Sequence, residues 1–313
     1  MSAAPFRNRL TEQLGITVPV LSAPMGWVAR APLVAAVSEA GGLGLVPGSL
    51  DLATIEADLA EVRSLTDRPF GVNIPIAFAQ DPAIVGLIAD AGVRFVTTSA
   101  GSPARFIEPL KEIGVTVFHV VPTLATAEKA IAAGVDGLVV EGSEGGGFKN
   151  PAEVSTMVLV PLLADRFDVP IVAAGGIADG RTMLAAMVLG AEGVQMGTRM
   201  LASRESSVHA AVKDAILGAS EADTFMLNRT VGRPMRVLRT ATSELADGQD
   251  VRPLLARITE TYHDGDLDAS LLQAGQVAGR IDSLETVAEI LREAVASFDA
   301  RLHELVRGRT VDA

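Results

Sequence analysis

The feature that most constrains this chain is an alternation. Short runs of β-branched and other apolar residues recur between residues 17 and 196, separated by longer amphipathic stretches. The runs are Thr17–Ala23, Leu43–Pro47, Phe70–Ile74, Phe95–Ser99, Val115–Val121, Gly137–Glu141, Ile171–Ala174 and Gly193–Met196. Helical periodicity lies between them, at Pro32–Ala40, Asp51–Leu65, Pro103–Ile113, Ala125–Ala133 and Arg181–Leu189. Apolar runs this short, bounded by Gly, Pro or charge, predict strands buried on both faces, the pattern of parallel sheets. Parallel strands joined by helices need right-handed crossovers, and eight such units close into a (β/α)8 TIM barrel, an α/β fold. The competing doubly wound sheet calls for a dinucleotide fingerprint after its first strand. The chain there reads Ala23-Pro24-Met25-Gly26.

After Leu217 the alternation stops. Residues 1–217 are read as the barrel, 218–281 as an insertion or lid over its mouth, and 282–313 as a final helix against it. Asp282 and Glu285 have capping-box spacing, followed by Val287, Leu291, Val295, Phe298 and Leu302 at helical intervals. Such a helix has two docking sites open to it, its own barrel or a second subunit.

Composition narrows the chemistry. The chain of 313 residues has no cysteine, which excludes thiolate zinc sites and cysteine nucleophiles. A net charge of −12 argues against nucleic acid as a partner. No uninterrupted apolar stretch of about 20 residues is present, and Met1 to Leu10 has no signal-like apolar core, so a soluble cytoplasmic protein is expected. No His/Asp/Glu cluster has metal-ligand spacing.

In TIM barrels chemistry sits at the C-terminal strand ends, and phosphate often binds the loops after strands seven and eight. Those loops read Ala174-Gly175-Gly176-Ile177 and Met196-Gly197-Thr198-Arg199, and glycine lets backbone N–H groups approach an anion closely. The loop after strand six, Glu141 to Pro151, holds three consecutive glycines and faces a ligand or stays mobile at the surface. It is not a P-loop, because Gly142-x4-Gly147 is followed by Phe148. Asn73 at the end of strand three either recognises a polar ring edge or caps a turn. His119 at the end of strand five is a core residue or a site residue. Arg229, Arg233, Arg236 and Arg239 form either a solvated, ion-paired face or a patch where Arg233 and Arg236 attract an anionic substrate.

Taken in order, Ala23-Pro24-Met25, Gly71-Val72-Asn73, Glu141 to Gly147, Ala174-Gly175-Gly176-Ile177 and Gln195-Met196-Gly197-Thr198-Arg199 resemble the nitronate monooxygenases, formerly called 2-nitropropane dioxygenases. That family shares its fold with flavin-dependent enoyl reductases. The likeness runs from about residue 10 to 217, with a weaker echo at Ala274-Gly275-Gln276. It implies an FMN enzyme that oxidises a nitronate or similar anion with O2. By position, Ala23, Pro24 and Met25 would pass along the flavin, and Asn73, Glu141 and Gly146 would face its ring or ribityl chain. Gly175, Gly176, Gln195, Met196, Gly197 and Thr198 would hold the phosphate side.

One departure bears on mechanism. The family's glycine loop usually ends in a His that acts as base; here that position is Phe148, which cannot. Lys149 and His119 are the remaining candidates. Two alternatives therefore stand beside nitronate oxidation: an NAD(P)H-dependent flavin reductase of an enoyl, quinone or acyl-CoA-like acceptor, and a non-redox barrel lyase, isomerase or phosphate-ligand binder. A homo-oligomer is compatible with all three.

Overall fold

The computed structural model describes residues 5–78 and 81–308. Residues 1–4 of the expected barrel segment and 309–313 of the final segment lie outside the described residues. The strands are β1 (Val20–Ser22), β2 (Gly44–Pro47), β3 (Phe70–Pro75), β4 (Phe95–Ser99), β5 (Thr116–Val121), β6 (Gly137–Glu141), β7 (Gly147–Phe148), β8 (Ile171–Ala174), β9 (Gly193–Met196), β10 (Thr224–Leu227) and β11 (Met235–Leu238). Eight of them form one parallel sheet in the order β1-β9-β8-β6-β5-β4-β3-β2. A parallel bridge between Leu21 and Leu43 brings its two edges together, with Leu43 N–H donating to Val20 O at 2.9 Å. The chain is therefore a TIM barrel, as the alternation predicts.

Strand periodicity divides the core in two. Leu21, Leu45, Phe95, Phe118, Val139 and Val172 meet inside the barrel, whereas Val20, Val46, Val72, Val96, Val140 and Val194 pack outward against the helices. Phe95 and Phe118 cross edge-on at 5.1 Å and fill the interior. Only glycine at 137 permits this, because a Cβ there would stand 2.3 Å from the Phe118 ring. The helix Arg9–Leu14, capped by Asn8, inserts Leu10 and Leu14 into the inner cluster and plugs the N-terminal end. All the polar strand-end residues consequently gather at the other end.

One expectation needs correction. The last helix, Val287–Arg307, is capped by Thr286 with Glu289, not by the Asp282–Glu285 pair. Glu285 instead pairs with Arg199, and its carbonyl accepts from Arg204 N–H at 2.9 Å, so tertiary contacts claim it. This helix also does more than lean on a finished barrel. It packs between the helices Gly180–Val188 and Ala31–Glu39, the place of an eighth barrel helix. A Cβ on Gly180 would meet Ala294 O at 2.0 Å, which shows how closely the two helices approach.

Within 218–281, β10 and β11 pair antiparallel, and β11 continues onto β7, the end of the glycine loop. Leu227, Met235, Val237, Ala246, Val251 and Leu271 form a small core of their own. Among the described residues no helix is long and apolar enough to cross a membrane.

Candidate active site

A cavity of about 790 Å³ opens at the C-terminal ends of the barrel strands. A shallower depression at the other end, around Arg9, Asp136 and Pro170, lies on residues that precede β6 and β8 and has none of the glycine loops. The first cavity gathers nearly every residue singled out above. Ala23, Pro24, Met25, Asn73, His119, Glu141, Gly146, Phe148, Lys149, Gly175, Gly176, Gln195, Gly197 and Thr198 all line it.

Three do not. Met196 is fully buried on the outward face of β9, because alternation turns Gln195 in and Met196 out. Arg233 is exposed and away from the cavity. Arg236 is buried on β11, where its Nε donates to Ser143 O at 2.9 Å; it ties the glycine loop to the insertion and presents no charge at the mouth. The neighbouring Arg229 is ion-paired with Glu153 and Arg239 with Glu244.

The glycine loop is held by two carboxylates. Lys149 Nζ donates to Glu141 Oε1 at 2.8 Å, to Gly146 O at 2.8 Å and to Phe148 O at 3.1 Å. All three ammonium protons are engaged, and the side chain is only 4% exposed. Glu144 accepts from the N–H and hydroxyl of Thr156, each at 3.0 Å, at the start of the helix Thr156–Ala164. Gly146 lies so close to Ala274 and Gly275 that a Cβ would stand 2.8 Å from Ala274 C. Gly275 N–H in turn donates to Thr198 Oγ1 at 2.9 Å. The weak echo at 274–276 thus abuts loops that precede it in sequence by more than 70 residues.

The remaining polar groups differ in how they are satisfied. Asn73 is buried and donates to Thr97 Oγ1 at 2.9 Å and Thr97 O at 3.2 Å, so its amide braces β4 and caps no turn. His119 shares a 2.7 Å hydrogen bond between Nδ1 and Thr98 Oγ1. Burial lowers its pKa to about 4, against hydrogen bonds to the backbone of Thr98 and Gly101, so the ring is neutral at pH 7. Gln195 Oε1 is buried with no partner. Among the described residues, no protein acceptor takes the N–H of Gly176, Gly197 or Thr198. A buried orphan acceptor beside N–H groups without a protein partner, all lining one cavity, fits a polar ligand.

Several lining residues were not singled out from sequence: Trp27, Phe78, Glu144, Leu255, Ile258, Tyr262 and Gln273. Tyr262 is the only tyrosine in the chain, which was the available signal. Its hydroxyl accepts from Gln273 N–H at 3.0 Å, and burial raises its pKa to about 12. Among the described residues no group of three or more His, Asp or Glu is placed to hold a metal.

Comparison with known proteins agrees with this geometry. The nitronate monooxygenase family model matches residues 7–83 and 77–297. The chain is 33% identical to a nitronate monooxygenase of Pseudomonas aeruginosa, over 92% of this chain and 98% of the relative. It is 34% identical to (3aS,4S,5R,7aS)-5-hydroxy-7a-methyl-1-oxo-octahydro-1H-indene-4-carboxyl-CoA dehydrogenase of Mycobacterium tuberculosis, over 95% and 97%. Among solved structures, FabK from Thermotoga maritima superposes with a TM-score of 0.91 at 38% identity, covering 97% of this chain and 99% of that one. The chain belongs to the nitronate monooxygenase family and is an oxidoreductase of that family.

Proposed function

We propose that the cavity binds FMN and oxidises a nitronate or similar small anionic substrate that arrives already deprotonated. The observation that carries the proposal is the pairing of unmet polar groups with the lack of a free base. Gln195 Oε1 and the N–H groups of Gly176, Gly197 and Thr198 fit a ligand with a donor at one end and an anion at the other. A flavin mononucleotide has both, and bound there it would supply the redox chemistry that side chains lack. Gly176 at φ +77° supports this use, since its N–H is turned by a backbone conformation that L side chains rarely adopt. Gly175 and Gly197 belong to the same two loops, while Ala23 to Met25 supply a backbone edge alongside them.

Among the described residues that line the cavity, each basic side chain is already engaged: the Glu141 carboxylate pairs with Lys149, and Glu144 accepts from the N–H and hydroxyl of Thr156. Phe148 has no basic atom, and Lys149 has all three of its protons in hydrogen bonds. His119 at about 4 is too weak a base at neutral pH, and Tyr262 at about 12 keeps its proton. Asn73 and the Glu141–Lys149 pair orient what binds between them, and residues 218–281 help exclude water.

A second reading is NAD(P)H-dependent reduction of an enoyl, quinone or acyl-CoA-like acceptor. Two observations favour it: the likeness to a dehydrogenase named for a carboxyl-CoA substrate, and the aromatic pair Phe78–Phe148 at the mouth. An absorption spectrum of the purified chain tests the common part, and a colourless protein that takes up no FMN overturns it. Oxygen consumption with propyl nitronate then supports the first reading. Oxidation of NADH or NADPH by crotonyl-CoA or a quinone supports the second.

A further inference from the structure

The last helix, Val287–Arg307, carries one apolar stripe along most of its length but buries only part of it. Leu291, Val295, Phe298, Leu302 and Leu305 follow one another at spacings of four and three residues, and Val306 widens the far end. That spacing keeps them on one helix face. Leu291, Val295 and Phe298 are buried against the body, with Phe298 edge-on to Phe6 at 5.2 Å. From Arg301 to Gly308 every residue is exposed, and Leu302, Leu305 and Val306 are 39%, 51% and 65% exposed. The final two turns, roughly 12 Å of helix, therefore overhang the barrel with the stripe uncovered.

Direction and charge point to what covers it. Upstream of Leu302 the chain's own barrel occupies the stripe, so a parallel helix would collide with that body. Only a helix end arriving antiparallel, with its own body on the far side, can lie along the overhang, and a second copy of the overhang is such an end. Asp299 and Glu304 balance Arg301 and Arg307, so this segment is neutral in a chain of net charge −12. Two copies meet there without the repulsion that the rest of the surface imposes. Arg301 is bonded to Glu304 within the helix at 2.8 Å, whereas Asp299 and Arg307 have no ion-pair partner among the described residues. Antiparallel overlap centred near His303 sets Leu302 against the partner's Leu305 and Asp299 level with the partner's Arg307. The helix Thr156–Ala164 also exposes Met157, Val158 and Leu162, but it has no charged residue to fix a register.

We infer that the overhang joins two copies of this chain, each laying Leu302, Leu305 and Val306 on the other's in an antiparallel pair, with an Asp299–Arg307 contact at each end. The helix thus uses its barrel for the first half of the stripe and a second subunit for the rest. Three partly exposed side chains per copy make a contact well below the ~800 Å² per partner of a standard interface, so the dimer is weak, with Kd on the order of tens of micromolar. Each chain has one such end, and assembly stops at two. The inference is independent of the proposed chemistry.

Sedimentation of the full chain as purified, from about 1 to 500 µM, tests it and should show a monomer–dimer equilibrium. Leu302→Ala and Leu305→Ala each remove three carbons from both copies, about half of that area exposed, and should weaken association about 50-fold. Leu305→Asp should leave a monomer throughout; an unchanged circular dichroism spectrum separates lost association from lost folding at this exposed position. Asp299→Arg alone should weaken the dimer about tenfold, and adding Arg307→Asp should restore it to within about threefold. Met157→Asp is the control and should change nothing. A chain monomeric across the range, a dimer that survives Leu305→Asp, a species larger than a dimer, or dissociation by Met157→Asp overturns the inference. A charge reversal that Arg307→Asp does not rescue overturns the antiparallel register.

Discussion

The two halves of the cavity, an inner one at the strand ends and an outer one on the loops, are made of different material. The inner half stands on β3, β6, β8 and β9, each hydrogen-bonded to neighbours on both sides, and its Asn73 and Gln195 are 3% and 8% exposed. The outer half stands on the turn after β3 and on short helices of the insertion, and its aromatic rings face solvent. A barrel register positions polar groups rigidly, as recognition of a polar cofactor demands. Loops carried on that scaffold vary more freely, as substrate choice demands. On the proposed function, the barrel would hold the cofactor and the added segments would bear on substrate choice.

The largest test of this division removes the anion cradle. Gly197 has φ −105°, and a Cβ there would make an ordinary 3.4 Å contact with Ala23 Cβ, so the fold tolerates a side chain, whose branches would stand where the anion is proposed to approach. Gly197→Val should weaken FMN binding about 100-fold, the loss of two hydrogen bonds to a charged group. Flavin content after purification reads this directly, and a fully loaded variant would place the phosphate elsewhere.

A comparable effect is expected where the halves meet, at Phe148. With no base beside it, neutral 2-nitropropane should be oxidised about 100-fold more slowly than its nitronate, the usual contribution of general base catalysis. Oxygen uptake before and after the nitroalkane ionises measures the gap. Phe148→His should narrow it; equal rates in the unaltered chain would mean that a base acts from another position.

His119 provides a smaller effect and a pH signature for the inner half. Its folded pKa of about 4 lies below the ordinary 6.5, so the unfolded chain binds the proton more readily. The stability that depends on a neutral ring is complete above about pH 6.5 and is lost as the pH falls towards 4. Between pH 7 and 5 the loss should be about 2 kcal/mol. Urea unfolding at the two values checks it, with His119→Gln as the control that should flatten the difference.

The smallest effect has opposite signs in the two ligation states. Gln195→Leu removes a buried oxygen that has no partner, so the flavin-free protein should gain about 1 kcal/mol. The same change should weaken FMN binding. If both forms were destabilised alike, Gln195 would be a packing residue and the inner half less polar in function than in composition.

Much of the inner half was legible because strand ends announce themselves. Asn73, Glu141 and Gln195 each interrupt an apolar run near its close, and the glycine pairs mark where backbone must approach something. The misreadings share one cause. Met196 was grouped with Gln195 because adjacency in sequence was used where alternation decides direction. Asp282 and Glu285 had the spacing of a cap, but Glu285 was claimed by Arg199 from 86 residues away. Arg236 looked like one of four solvent-facing arginines until β11 paired with β7 and buried it.

By itself the sequence determined the barrel, since eight apolar runs with helical spacers read as buried parallel strands and the turn after the first, Ala23-Pro24-Met25-Gly26, lacks the fingerprint of the doubly wound alternative. It determined the strand ends that carry polar groups, and the absence of a base at Phe148. Only the tertiary structure decided that the last helix completes the barrel ring, that β7 exists, and that Phe78 stacks on Phe148. The physical reason is range. Periodicity and capping act within a few residues, whereas these contacts join segments tens to hundreds of residues apart, and the partner in each is visible only once the chain has closed on itself.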